Sequence, residues 1–485
     1  MKHIFAVILS ALFLLTLCAC DSQPEPTETT QLPETTLPEE PTETTVPEVP
    51  EAAFDDYVFL YENQRDLDWE EDIVYFARLF LGEYVVKGHP YLTARLISVM
   101  DLDNSVSQRY FYDAALRDTF VAEIHDLIAA VPDLNDNQIA HELMRIAALL
   151  GDAHTQVYTP AAAYFPLVVE QMEQGGELGL YATRIHEEYG DLVLSELVSI
   201  NGIPVDEVVE RLSVYVSTEN EHWANNCITS IFNNMHIVEL GALQAAGVVA
   251  HDADTAVFGF LTENGSTKEV QLTALNLAAG EYWSVPYVDC TQFGMGFLSY
   301  SRYGDTSYFH QYLELYDSMY IRLYDCSADA EYRLEDLLEE VDQELRVIGA
   351  VDKIIVDVRD NPGGYVHFVD GLIDFLREAN AEEIYILVDN GSFSAGTIFP
   401  SRARTKLDNV TIVGTHTAQT PNFFAGPTSL NLRKHEVYFA VSTNYFEGDP
   451  TFVGKALAPD ILVYQNLEDY RMRIDTALQT VLDRP

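Results

Sequence analysis

Basic residues are scarce in this chain: against 77 Asp and Glu there are 27 Lys and Arg among 485 residues, a formal net charge of −50 at pH 7. A surface of that sign repels phosphate backbones and anionic headgroups, which excludes nucleic acid and a bare anionic membrane surface as partners. Cysteine is scarce as well. Beyond Cys18 and Cys20 only Cys227, Cys290 and Cys326 remain. An odd number scattered through a long chain implies no disulfide framework, and the three are read as small buried hydrophobes. The sequence has no His-Glu-x-x-His, no cysteine pair at ligand spacing and no loop of alternating carboxylates, so no metal or other cofactor is expected. Apolar runs long enough to cross a bilayer are missing too, and the run at residues 4–17 is too short.

That short run follows Met1, Lys2 and His3 and ends in Leu17-Cys18-Ala19-Cys20, the pattern of a secretory signal with a small residue before a cysteine. It resembles the bacterial lipobox. The resemblance implies cleavage before Cys20 and a diacylglycerol thioether on its sulfur, so residues 1–20 are read as a lipoprotein signal peptide. Residues 21–51 are almost entirely Pro, Glu, Thr and other polar or small residues. They offer nothing to offset the entropy of ordering and are read as a disordered, extended tether. The expected location is the outer side of a bacterial cell membrane, held by the lipid, with the acidic tether favouring a Gram-positive surface.

With hydrophobic residues at 48 %, the remainder can bury more than one core. Residues 54–157 carry helical periodicity. Ile73, Phe76, Ala77 and Phe80 recur at three-to-four spacing, as do Phe120, Ile124 and Leu127, and a further helix over 137–150 stops at Gly151, a natural cap. Asp152-Ala-His154-Thr155 follows at once. Residues 166–276 read as strands and turns, with a strand from Leu197, a turn at Asn201-Gly202 and a helix after Pro204. Ile200-Asn-Gly-Ile-Pro-Val205 resembles a segment of PDZ domains, although a glycine-rich ligand-binding loop is not evident upstream. Residues 293–485 alternate strands (319–323, 353–358, 384–388, 410–413, 436–441) with helices (331–347, 366–379 and one starting near Ser394), which predicts a sheet built from crossover units.

Two turns in this last region carry chemistry. Asp357-Val-Arg-Asp-Asn-Pro-Gly-Gly364 ends an apolar strand in bare glycines, and Asp389-Asn-Gly-Ser-Phe-Ser394-Ala-Gly396 ends the next strand in a serine at a strand-to-helix junction. Acyl transfer needs a nucleophile, a base and donors aimed at the developing negative charge. The serine and the backbone N–H groups of Gly363 or Gly364 and Ala395 can supply the first and the last. Ser394 is the expected nucleophile, and Ser392 is the fallback.

These blocks, with Val413-Gly-Thr-His-Thr417, Ala458-Pro-Asp-Ile-Leu-Val463 and Glu468-Asp-Tyr470 following in order, resemble the tail-specific, or C-terminal-processing, serine peptidases, a group that includes tricorn core protease. The resemblance spans nearly everything after the tether. It implies a multidomain α/β protein with an N-terminal helical cap, a small β-rich PDZ-like region and a C-terminal Clp protease/crotonase-like α/β catalytic domain. It also places alanine directly after the catalytic serine, which selects Ser394. One branch of the family uses a lysine downstream of the serine. Here Gly414-Thr-His-Thr-Ala-Gln-Thr-Pro421 has Thr420 at that place, while Lys406 comes too early and Lys434 and Lys455 too late.

The tricorn-like branch uses a histidine in a Gly-x-x-His-Thr segment, which Gly151-Asp-Ala-His-Thr155 matches, so the resemblance makes His154 the general base, with His416 and His367 as competitors. Its acid is a late glutamate, for which Glu447 is the nearest candidate. Val453 stands at the aligned position, Ala153 replaces a serine beside the histidine, and Gly396-Thr397 replaces a glutamate after Ser-Ala. Asp152 is a further acid near the base. The expected function is an exported, lipid-anchored serine peptidase acting on extended or unfolded peptide segments through an acyl-enzyme. The alternative is an inactive, peptide-binding surface lipoprotein on the same scaffold.

Overall fold

Side chains in a strand alternate between the two faces of a sheet, so a strand covered on both faces reads as an unbroken apolar run. Ile354-Ile-Val356 and Ile384-Tyr-Ile-Leu-Val388 are such runs. In the computed structural model, which describes residues 53–54, 57–81, 114–159, 163–229, 235–276, 287–289, 308–326, 332–379, 381–442 and 444–485, they form the centre of a six-stranded sheet. The signal peptide, Cys20, the tether and Cys290 lie outside these residues. No helix among the described residues is long and apolar enough to cross a membrane.

The N-terminal helices are α1 (Gln64–Phe80), α2 (Ala114–Ala130) and α3 (Asp136–Ala148). Asn135 starts α3 with a capping box completed by Gln138, and Gly151 turns the chain out of it with φ +62°. The chain then forms β1 (Gln156–Tyr158). Next comes a mostly antiparallel sheet of β2 (Leu167–Gln174), β3 (Glu177–His186), β4 (Glu196–Ile200), β5 (Thr255–Leu261), β6 (Thr267–Thr273) and β7 (Tyr287–Asp289), joined in the order β7-β3-β4-β5-β6 with β2 also on β3. Helices α4 (Val205–Ser213) and α5 (Glu221–Thr229) leave it after β4. The expected turn is present, with Asn201 at φ 49° and Gly202 at φ 76°.

The six-stranded sheet comprises β8 (Tyr308–Leu313), β9 (Ser318–Leu323), β10 (Val351–Asp357), β11 (Ala381–Val388), β12 (Val410–Gly414) and β17 (Ile461–Leu462) in that order. Strand β8 is antiparallel to β9, and all other neighbours are parallel. The crossovers run through α6 (Leu334–Ile348), α7 (His367–Glu378) and α8 (Ala395–Lys406). Ile354, Val356, Ile386 and Ile412 pack with these helices, whereas Ile355, Tyr385, Leu387 and Val413 face α9 (Thr476–Leu482). Between β12 and β17 lie four short strands, β13 (Asn422–Ala425), β14 (Thr428–Asn431), β15 (Tyr438–Val441) and β16 (Asn444–Glu447). The first and last of these pair with each other, and β14 and β15 form a sheet with β1 in the order β1-β15-β14.

That last sheet joins the two ends of the molecule. Strand β1 belongs to the N-terminal half and β15 to the C-terminal half, with Val157 opposite Phe439. The hydrophobic cluster of the N-terminal half runs through the contact to include Phe393, Leu430 and Phe439. The molecule is therefore a mixed α/β, multidomain chain with helices at its N-terminus and the parallel sheet at its C-terminus.

Candidate active site

In parallel α/β sheets, functional groups collect where strands end and helices begin. Ser394 follows β11 at such a point, occupying the N-cap position of α8 without using its side chain as a cap. Its backbone has φ 54° and ψ −121°, a conformation that L residues seldom adopt and that is characteristic of a sharp nucleophile elbow. Ser394 is half-buried. Ser392 is committed elsewhere: it is fully buried, its Oγ donates to the Val358 carbonyl at 2.7 Å and it accepts from the Asp389 N–H at 3.0 Å. The structure thus separates the two serines that the sequence left as leading and fallback choices.

The glycine turn after β10 packs directly on this elbow. A Cβ on Gly363 would come within 2.4 Å of the Ser394 Cβ and 2.8 Å of the Ala395 nitrogen, and Gly363 has φ 94°. No other residue fits there. The Gly363 N–H donates to Asn361 Oδ1 at 2.8 Å, and its carbonyl accepts from the Cys326 N–H at 2.8 Å. Tyr365 donates its N–H to the Cys326 carbonyl, also at 2.8 Å. Because successive peptide groups alternate in direction, the N–H of Gly364 faces away from Cys326. Among the described residues, neither it nor the N–H of Ala395, in the unpaired first turn of α8, donates to an acceptor. Of the two glycines proposed as donors, Gly364 is the one whose N–H is uncommitted.

Behind the turn, Asp357 at the end of β10 is fully buried among Tyr320, Arg322 and Arg359, with bonds of 2.7, 2.6 and 2.6 Å. Burial alone would raise its pKa, but the two guanidinium charges and these hydrogen bonds hold it well below the usual carboxylate range. Arg359 continues to Asp475, the N-cap of α9, at 2.7 Å. The Asp-Val-Arg-Asp run is therefore the anchor of the turn.

His154 arrives from the other half of the molecule. Its own N–H donates to Asp152 Oδ1 at 2.9 Å, Thr155 Oγ1 donates to Asp152 Oδ2 at 2.8 Å, and the Ser442 N–H, just after β15, donates to Thr155 Oγ1 at 3.0 Å. The Asp152-to-Thr155 motif thus acts mainly as a clasp that fixes the backbone at His154. Phe393 and Phe423 lie against the ring at 4.5 and 5.2 Å. Desolvation lowers the His154 pKa to about 4, with the Asp152 charge opposing it.

One side chain links this histidine to the serine. Gln419, fully buried on the loop after β12, accepts from the Ser394 N–H through Oε1 at 3.1 Å, and its Nε2 lies 3.2 Å from His154 Nδ1. The same Nε2 donates to Glu219 Oε1 at 3.0 Å. Glu219 precedes α5, and burial, reinforced by the Asp152 charge, raises its pKa to about 8 against backbone and Gln419 hydrogen bonds. Sequence reasoning missed both residues. Gln419 is adjacent to Thr420, the position read as the vacant lysine place, which was the available signal. Glu219 carries none.

Glu447, the acid chosen from sequence, lies exposed on β16 opposite Asn422, and no hydrogen bond or ion pair joins it to His154. His416 stacks on His222 at 4.3 Å, and His367 packs on Phe368 at 4.3 Å. Lys406 pairs with Asp370 and Lys434 with Asp68 and Glu71, while Lys455 is exposed. Cys227 and Cys326 are free and buried.

A parallel sheet carrying a strained serine elbow, a glycine turn and a histidine clasped at the ends of its strands defines the class of this C-terminal region. Residues 317–463 match the family model of Peptidase family S41. No curated protein matches the chain. Among solved structures, mature CPAF complexed with lactacystin is similar at 13 % identity and a TM-score of 0.54, over 86 % of this chain and 97 % of that one. A second structure of mature CPAF gives 13 % identity and a TM-score of 0.55, over 86 % and 96 %. At that identity the likeness is one of fold.

Proposed function

We propose that this protein is a serine peptidase that cleaves peptide bonds of extended or unfolded protein segments through an acyl-enzyme, held outside the cell membrane by a lipid on Cys20. The observation that carries the reading is the convergence of Ser394, on its strained elbow, with the uncommitted N–H groups of Gly364 and Ala395, all three within the stretch that matches a peptidase family, and with His154 brought to them from the N-terminal half. Ser394 Oγ attacks the scissile carbonyl carbon while His154 takes its proton. The carbonyl oxygen becomes an oxyanion facing the two N–H groups, each worth about 3 kcal/mol in such a site. Collapse breaks the C–N bond, the amine leaves with the proton returned by His154, and water then releases the acyl group by the reverse use of the same base. The helical and PDZ-like regions serve to bind or gate the segment being cut.

The test is labelling of the full-length, detergent-extracted protein by a fluorophosphonate, beside Ser394→Ala and His154→Ala. The expected result is one adduct, on Ser394, absent from both variants. Wild-type labelling that persists in either folded variant removes that residue from the machinery, and a folded wild type that takes no adduct favours the peptide-binding lipoprotein. Intact mass of the same preparation should show a diacylglycerol on a chain beginning at Cys20, and Cys20→Ala should leave the membrane fraction.

A further inference from the structure

A base that takes a serine proton at Nε2 ends with protons on both ring nitrogens, so Nδ1–H needs an acceptor, normally a carboxylate. Glu447 does not supply it. Among the contacts of His154, the carboxyl that closes the chain of hydrogen bonds is Glu219, one amide away. The orientation of that amide is determined by its partners. The Ser394 N–H can only donate, so the Gln419 atom facing it at 3.1 Å is the oxygen. The NH2 group then faces Glu219 at 3.0 Å and His154 Nδ1 at 3.2 Å and donates to both. Nδ1 is thereby an acceptor, and the proton of the neutral ring sits on Nε2. That is the tautomer a general base cannot use against serine.

We propose that Glu219 is the carboxylate that orients His154 and balances its positive charge during catalysis, and that Gln419 separates the two in the resting arrangement seen here. This rests on the serine peptidase reading and adds to it the positioning residue and a step that precedes chemistry. When the Gln419 amide withdraws, the Glu219 carboxylate meets Nδ1, the ring proton moves to Nδ1 by exchange with solvent, and Nε2 is left with the lone pair that accepts the serine proton. The ring charges support this order. Uncompensated, His154 sits at about 4, too weak a base for neutral pH, and an ionised carboxylate at Nδ1 raises it. The groups facing Glu219 are Asp152 and the backbone of Ala153 on the loop after α3, the backbone of Glu219 itself, and Gln419 on the loop after β12, whose amide separates it from His154. Asp152 opposes ionisation of Glu219, whose pKa of about 8 places the change within reach of a titration.

The experiment measures the fluorophosphonate labelling rate from pH 5 to 9.5 for wild type, Glu219→Gln and Gln419→Ala, with 15N-histidine NMR of the same proteins. Wild type should gain rate as pH rises through about 8, where Glu219 ionises. Glu219→Gln should be slower by about 100-fold at high pH and lose that rise. Gln419→Ala should label faster than wild type at pH 7. In the spectra, the His154 nitrogens should respond to the Glu219 titration in wild type and not in Glu219→Gln. A Glu219→Gln protein that labels with the wild-type rate and profile overturns the proposal while leaving Ser394 and His154 in place. If wild type does not label at all, the serine peptidase reading fails, and His154 signals that ignore the Glu219 titration overturn the present proposal independently.

Discussion

Gly363 shows how little room the site leaves. Its φ of 94° is one that side chains avoid, and an added Cβ would lie 2.4 Å from the Ser394 Cβ. Both faults act on the elbow rather than on the core. Gly363→Ala should therefore remain folded by circular dichroism but displace Ser394 and the adjoining donors, with a loss of labelling rate of about 100-fold, the scale of one lost oxyanion donor. An unchanged rate would mean that the turn does not set the serine's position. The contrast between Ser392 and Ser394 is of the same kind. Two residues apart, one spends its hydroxyl on the Val358 carbonyl and the other leaves its hydroxyl free of any cap bond.

At the scale of elements, the site depends on β1 pairing with β15, because β1 begins just after His154. The β14–β15 hairpin is held in turn by α1. Asp72, fully buried, accepts the N–H groups of Arg433, Lys434 and His435 at 2.9, 3.0 and 3.0 Å, and Trp69 stacks on the His435 ring at 3.5 Å. Asp72→Ala leaves these donors without their acceptor. At about 1–3 kcal/mol for a buried unsatisfied group, with partial rescue by water, a loss of about 3 kcal/mol is expected in urea unfolding. The labelling rate should fall as well, since the hairpin positions the strand that directly follows His154. A loss under about 1 kcal/mol would show that stacking and strand pairing hold the hairpin without Asp72.

For the whole molecule, the Asp357 network ties β9, β10 and the C-terminal helix α9 together beneath the glycine turn. Its pKa is depressed in the folded state, so the unfolded chain binds the proton more readily. The resulting stability is complete above about pH 4, the unfolded value, and is lost as pH falls through the lower folded one. The net charge of −50 works in the opposite sense, because acid relieves self-repulsion. The difference between wild type and Asp357→Asn isolates the network. That difference should be about 3–5 kcal/mol near neutrality, the cost of leaving buried guanidinium groups uncompensated, and should shrink below about pH 4. A difference that stays constant down to pH 2 would place the stabilisation in packing rather than charge.

The local patterns determined a great deal. Unbroken apolar runs and the glycines after them specify the parallel strands and their turns, because burial on both faces and positive φ leave few other residues usable. The helix over 137–150, its cap at Gly151 and the histidine motif beyond it were legible for the same reason, as was the serine at a strand-to-helix junction. What the sequence could not decide is which acid serves the histidine. Glu447 was chosen by its place near the end of the chain, yet it lies exposed, whereas Glu219 comes from an unremarkable Thr-Glu-Asn stretch in the other half of the molecule. Gln419 and Glu219 are 200 residues apart and meet only because the N-terminal core reaches across β1 and β15 to the serine elbow. Burial and hydrogen-bond partners are properties of that meeting, so the protonation states at the site were set by the tertiary structure alone.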